Sequence, residues 1–333
     1  GVLRVAVAPG TEATWVERLT ARAEIVYAEH NYIGTGAALP IDAAPLDTRL
    51  LDTMPTDAVP NDTYFHRLWH WHNTGQSGGI TGADIDAVSA WDLTTGSPNI
   101  VVAVLDTGID SDHPEFAGRI DPDGFDFVND DPDPEADHWH GTGVAGMLGA
   151  NADNGMGVVG IDWHCKILPI KVLDASNQGT TFDLAQGLNY AAGQADVDVV
   201  TMSIIDQPAS ATLTNALQAA RTAGKILIAC AGNRSFGDAD RSYPGASPLT
   251  ISVGASTRHD SRAYFSATGA ALDFLAPGLD VYTVQHGSSS NTAYVGRGCS
   301  LATPIVAGLT GLLLAHAESH GLPKPTQQDV YDL

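Results

Sequence analysis

IVVAVLD, residues 100–106, is an apolar run rich in β-branched residues that ends on a carboxylate, Asp106, and is followed at once by Thr107-Gly108. A run this short and this apolar reads as a strand buried on both faces, with its last residue where the strand opens into a loop. The same signature recurs in KILPIKVLD (166–174), DVVTMSI (198–204), KILIACAG (225–232) and LTISVGA (249–255). Between these runs, residues 182–192 and 212–223 have helical spacing and composition. Strand and helix in alternation predict an α/β fold: a doubly wound, mostly parallel sheet with helices on both faces and its site at the carboxyl ends of the strands.

Working outward, residues 2–7 form an apolar strand pattern, Pro9-Gly10 a turn, residues 12–22 a helical stretch and residues 24–27 a second strand. This predicts a small N-terminal α+β segment over 1–36, too short to hold a strong core alone. Residues 34–60 are rich in Ala, Pro, Asp and Thr without sustained period, which predicts a linker over 37–59 and a place for cleavage. The main domain then runs over 60–333.

At 333 residues, with 44% hydrophobic content, the chain can bury a substantial core. Acidic residues outnumber basic ones 39 to 16, a formal net charge of -23, which argues against nucleic acid or an anionic membrane as partner and favours cations. Cys165, Cys230 and Cys299 show no C-x-x-C spacing, so neither a zinc site nor a disulfide framework is expected. No apolar run is read as long enough to span a membrane, and the start lacks a signal-peptide pattern; a secreted protein would have shed its signal.

Three segments carry candidate chemistry. Asp106 stands at the mouth of the first strand; DHWHGTGVAGML places His140 just before a small-residue helix; GRGCSLATPIVAGLTGLLLAHA places Ser300 at the start of a long apolar helix behind a tight Gly-x-Gly-x turn. A helix N-terminus aims free N–H groups at that hydroxyl. Taken singly, each has an ordinary reading: a strand-capping Asp, a structural His, a Ser helix cap. DFVNDDPDPE (126–135) packs oxygen donors into a Pro-interrupted loop, the hard-ligand density calcium requires, or a solvated acidic turn.

Together, in the order Asp, His, Ser, the motifs DTGIDSDHPEF, HGTGVAG and GCSLATPIVAG resemble the subtilisin family from about Pro60 to the end, with PNDTYF and GFDFVNDD most similar to thermitase-type enzymes. The resemblance implies a serine endopeptidase acting through an acyl-enzyme, with Asp106, His140 and Ser300 as triad and Asn233, in CAGN, donating to the oxyanion. It implies an extended substrate along Ser176 to Gly179 and Ser203, Ile204 and Ile205, with Ala231 and Gly232 beside the cleft. Arg234 is read either as a cation at the rim of the primary pocket or as a solvated surface residue.

The resemblance also implies Ca2+ at two places: Asp126, Asn129, Asp131, Asp133 and Glu135 around one ion, and Asp62, Glu115, Asn151 and Asn154 with carbonyls near Met156 and Val158 around another. The opening residues, ending AEHNYIG, resemble the closing half of a propeptide. This implies an intramolecular inhibitor and chaperone, freed by cleavage within 51–56 from a secreted enzyme. Family members continue beyond the point matching Leu333 through another helix and a Gly-rich segment.

Three positions depart from the family pattern: Cys299 where Thr is usual, Ile205-Asp206 in place of Gly-Gly, and Gly143 where a second His is common. A weakened binding protein and a peptide ligase on the same fold are the rival readings. A GxSxG esterase is disfavoured because the nucleophile turn reads GCSLA.

Overall fold

The computed structural model describes residues 12–20, 29, 33–36, 39–41, 59–234, 239–287 and 292–332. In chain order the helix α1 (Glu12–Thr20) precedes strands β1 (Ile33–Gly36) and β2 (Leu39–Ile41) and a short helix α2 (Ala87–Trp91). Then come β3 (Val101–Asp106), β4 (Phe125–Asp126), α3 (Trp139–Gly149), β5 (Lys166–Lys171), β6 (Gln178–Thr180), α4 (Thr181–Gly193), β7 (Val197–Met202) and β8 (Ile204–Ile205). The chain continues through α5 (Ala211–Thr222), β9 (Ile226–Cys230), β10 (Ile251–Thr257), β11 (Ser261–Arg262), β12 (Phe274–Pro277), β13 (Leu279–Val284), β14 (Ala293–Arg297), α6 (Cys299–Ser319) and α7 (Gln327–Tyr331).

The main sheet runs β11-β10-β9-β7-β3-β5-β4, with β12 also beside β10; apart from the antiparallel β10–β11 pair its ladders are parallel. β3 sits centrally, and all six of its residues are buried. Val102 and Val104 point into a core shared with α3 and α6, while Val101, Ala103 and Leu105 point into a second core shared with α4 and α5. That two-sided burial explains why the strand sequences are continuously apolar. Each fully buried Val or Leu contributes about 1.5–3 kcal/mol. The α/β fold expected from the alternating runs is therefore the one observed.

Three expectations change. Cys230, at the end of β9, and Cys299, at the start of α6, are joined in a disulfide with a Cα–Cα distance of 5.5 Å. Cysteine spacing in the sequence carried no hint of this. The two meet because the parallel sheet delivers β9 and the helix start to the same edge. Next, α6 is long and apolar enough by length and composition to cross a membrane, yet 78% of its most apolar window is buried inside the protein. It is apolar because it lies across the sheet as the central core helix. Finally, part of the expected linker is structured: β2 pairs antiparallel with β14, while β1, at the end of the 1–36 segment, pairs antiparallel with both β6 and β8. The strand patterns at 2–7 and 24–27 and the cleavage stretch 51–56 lie outside the described residues, whereas the helix expected over 12–22 is present as α1.

Candidate active site

Asp106 is the last residue of β3 and is fully buried. Its Oδ1 accepts from the Thr107 N–H at 2.7 Å and meets His140 Nδ1 at 2.6 Å. A carboxylate only accepts, so the imidazole Nδ1 carries the hydrogen and Nε2 is left as the basic nitrogen. His140 sits in the first turn of α3, whose cap is His138: the His138 Nδ1 accepts from the His140 N–H at 3.2 Å. Burial, then the neighbouring His140, lowers the His138 pKa, consistent with a neutral acceptor ring at this cap. Gly141 lets α3 approach β3 this closely, because a Cβ there would overlap the Gly108 carbonyl and lie 3.1 Å from Asp106 Oδ1.

Lys171, at the end of β5, braces the Asp106 turn from below. Its ammonium is buried and donates to the Thr107 carbonyl at 3.1 Å, the Leu173 carbonyl at 3.2 Å and Asp137 Oδ1 at 2.6 Å. Thr107 Oγ1 accepts from the Gly141 N–H at 2.9 Å, tying the Asp106 turn to the α3 start. Both supports went unread in the sequence. A lysine inside the apolar run KILPIK was the available signal.

Ser300 occupies the first turn of α6 and is fully buried; its Oγ donates to the Ser203 carbonyl at 3.1 Å, and Ser203 Oγ donates back to the Ser300 carbonyl at 2.8 Å. Trp139, beside His140, lies against Tyr294 with ring centroids 4.8 Å apart, and β14 leads from Tyr294 into α6. Asn233 follows β9, and its Oδ1 accepts from the Cys299 N–H at 2.9 Å. The structure thus gathers all four expected residues at the carboxyl edge of the sheet.

The expected substrate-binding residues also gather here. Gly179 lies in β6 and Ile204 and Ile205 form β8; these two strands flank β1. Ala231 is buried beside Asn233, and the Gly232 N–H points to Cys299 Sγ at 3.3 Å. Ser176 is the exception: its N–H is used in a local turn to Asp174 Oδ1 at 2.8 Å. The Ile205 side chain packs with Cys230 and Cys299, and the guanidinium of Arg234 pairs with Asp206 at 2.5 Å. That pairing matches the charge that a free Arg234 would have offered to acidic substrate residues.

Of the two acidic groups, one converges. Asp62 and Glu115 are 5% and 3% exposed, and burial, as the leading cause, raises their pKa values to about 6 and about 7. Asn154 Nδ2 donates to Glu115 Oε2 at 2.8 Å, the Val158 N–H donates to Glu115 Oε1 at 3.1 Å, and Asp62 Oδ1 is buried without a partner. Met156 N–H is held by Asn154 Oδ1 at 2.8 Å, and Asn151 Nδ2 donates to the Ala117 carbonyl at 3.1 Å. Two buried carboxylates with an orphaned oxygen suit a hard cation.

The 126–135 loop differs. Asp126 Oδ1 accepts from the Val128 and Asn129 N–H groups and its Oδ2 from Asn129 Nδ2; Asp131 Oδ1 accepts from the Asp133 N–H, and Asp133 Oδ1 from the Glu135 N–H. Glu135 Oε2 accepts from Ser111. These bonds use both oxygens of Asp126 and one each of Asp131, Asp133 and Glu135, and among the described residues no three acidic, His or Cys side chains close around a common point.

A family model described as the subtilase family, Peptidase_S8, matches residues 97–330. The chain belongs to the subtilase family. It is 35% identical over 235 residues to thermitase of Thermoactinomyces vulgaris, covering 71% of this chain and 81% of that protein. It is 36% identical over 231 residues to a thermophilic serine proteinase of Bacillus sp. (strain AK1), covering 69% of this chain but only 56% of that protein. Among solved structures, a Pseudoalteromonas arctica protease matches with a TM-score of 0.72 at 28% identity, covering 83% of this chain and 91% of that one. A cold-adapted subtilisin-like serine proteinase matches with a TM-score of 0.62 at 30% identity, covering 71% and 82%. The domain is thus a subtilisin-type serine endopeptidase domain, as the three motifs implied.

Proposed function

We propose that this domain hydrolyses peptide bonds in proteins with Asp106, His140 and Ser300 as its triad. The observation that carries the reading is the 2.6 Å Asp106–His140 bond at the carboxyl edge of the sheet where Ser300 opens α6. His140 Nε2 takes the proton as Ser300 Oγ attacks the substrate carbonyl, then delivers it to the leaving amine; Asp106 holds the ring in that tautomer and stabilises the imidazolium. Water then repeats the sequence on the acyl-enzyme. The Asn233 amide and the N–H groups at the α6 start donate to the oxyanion. Once the residues before Pro60 are removed, a fluorophosphonate probe should attach to Ser300 and fail to do so in His140→Ala; a folded protein freed of that segment that stays unlabelled would sink the assignment.

Calcium would be held by Asp62, Glu115, Asn151 and Asn154 with carbonyls near Met156 and Val158, supplying positive charge that relieves two buried carboxylates. The 126–135 loop, with Asp126, Asn129, Asp131, Asp133 and Glu135, is the second candidate for Ca2+, since Asp131, Asp133 and Glu135 each spend one carboxylate oxygen on the bonds described above.

The segment before Pro60 acts as an intramolecular inhibitor on this reading. β1 fills the cleft between β6 and β8, and the Glu29 carboxylate accepts from the Ala211 and Thr212 N–H groups at 2.8 and 2.7 Å, at the start of α5. An anion is favoured at a helix N-terminus. Secretion fits the Cys230–Cys299 disulfide, which persists in oxidising compartments, and fits relatives such as the cell wall-associated protease of Bacillus subtilis.

A further inference from the structure

β1 lies between β6 and β8 as an extended substrate would: Gly34 opposite Gly179, Thr35 opposite Ile205 and Gly36 opposite Ile204. Residues two apart on a strand face the same way, so Gly34 and Gly36 present one face. At both positions that face is closed. A Cβ on Gly36 would overlap the Asn177 side-chain amide, and a Cβ on Gly34 would lie 2.5 Å from Gln207 Nε2 and 2.7 Å from the Ile205 carbonyl.

Neither amide is a loose end. Asn177 Nδ2 donates to the Gly36 carbonyl at 3.1 Å, and the Asn177 carbonyl accepts from the Gly36 N–H at 3.2 Å. The residue is held at φ 58° with its Oδ1 buried and unpartnered. Gln207 is 1% exposed; its Nε2 donates to the Gly179 carbonyl at 3.1 Å and its Oε1 accepts from Thr181 Oγ1 at 2.5 Å.

We infer that Asn177 and Gln207 are specificity-determining residues that restrict this cleft to extended segments carrying Gly-x-Gly just ahead of the cut bond; the inference rests on the peptidase reading above. The chain itself satisfies the requirement with Gly34-Thr35-Gly36. Gly36 pairs with Ile204, the neighbour of Ser203, which bonds Ser300; past the gap, Leu39 pairs with Arg297 of β14, three positions before Ser300. Gly36 and Leu39 thus pair with strands on either side of Ser300. The chain's self-processing bond falls there, with the middle one, Ala37–Ala38, expected, in place of the 51–56 stretch.

The test uses the full chain with calcium and synthetic peptides matching residues 33–40, with Ala replacing Gly at one position or the other. The wild-type protein should lose about 10- to 200-fold in kcat/KM for Ala at the Gly36 position, the discrimination one methyl group provides in a tight pocket. Asn177→Gly should bring that ratio close to one while leaving the Gly34-position ratio high. Gln207→Ala should relax the Gly34 position only in part, because the Ile205 carbonyl stays. N-terminal sequencing of the self-processed chain should begin at Ala38. Equal cleavage of the Gly and Ala peptides by protein that labels with fluorophosphonate, an unchanged ratio in Asn177→Gly, or a new N-terminus beyond Leu39 would each overturn the inference alone. Failure to label Ser300 in folded protein freed of the residues before Pro60 would overturn the peptidase reading beneath it.

Discussion

Removing calcium should destabilise this protein more at pH 8 than at pH 5, and the reason lies in Asp62 and Glu115. Burial lifts Asp62 from 3.8 to about 6 and Glu115 from 4.5 to about 7. Such shifts correspond to about 3 kcal/mol for each carboxylate when ionised. The pair costs less than twice that, because their mutual repulsion enters both values. Both folded-state values lie above the unfolded ones, so without metal the penalty is absent below about pH 4 and complete above about pH 7. A bound cation removes it and adds its own binding energy. At about 2–4 °C per kcal/mol, the calcium-dependent gain in Tm should be on the order of 10 °C at pH 8 and clearly smaller at pH 5. Thermal melts of a Ser300→Ala protein, which cannot digest itself, with calcium or excess chelator, measure both. Asp62→Asn should raise the Tm in chelator at pH 8 and shrink the calcium gain. Calcium gains of one size at both pH values, in the parent and Asp62→Asn alike, would refute the reasoning.

The remaining predictions concern the site and the disulfide. Asp106→Asn should lower kcat by about 10,000-fold with little change in KM, since the ring loses the partner that fixes its tautomer; steady-state kinetics on a peptide substrate checks it. Asn233→Ala should cost about 100- to 1000-fold in kcat, with an additional loss of stability from the unpaired Cys299 N–H, read by chemical unfolding. Reducing Cys230–Cys299, which closes a loop of 69 residues, should cost about 4 kcal/mol on the chain-entropy argument. Melting with and without reductant should show the drop, and Cys230→Ala should melt like the reduced parent.

Much of the fold was legible because the main strands are buried on two sides. Apolar runs such as IVVAVLD have no polar alternation to confuse with a surface strand, so β3, β5, β7, β9 and β10 could be placed to within three residues at each end. Asp106, His140 and Ser300 were legible for a different reason: each stands at the end of an element whose punctuation is visible, a strand giving way to Thr-Gly or a helix opening behind small residues. What stayed hidden was pairing across the chain. β1 and β2 lie in composition typical of a linker, and they are strands because β6, β8 and β14 offer unpaired edges. Local propensity contains no record of such partners. Lys171 was hidden likewise, since its three acceptors come from separate stretches.

The departures from the family pattern show the same limit. Read singly, Cys299, Ile205 and Asp206 are changes in the specificity of a catalytic cleft, or, on the rival reading, a weakening of it. In three dimensions each has a compensating partner: Cys299 bonds to Cys230, Ile205 packs against both cysteines, and Asp206 pairs with Arg234. The side chain added by Ile205 fills space beside the disulfide, next to the nucleophile. Asn177 and Gln207 meanwhile close the cleft further along β1. These changes therefore fit a cleft of altered specificity, and on the inference drawn above its tolerance for small residues is matched by Gly34 and Gly36 of its own chain.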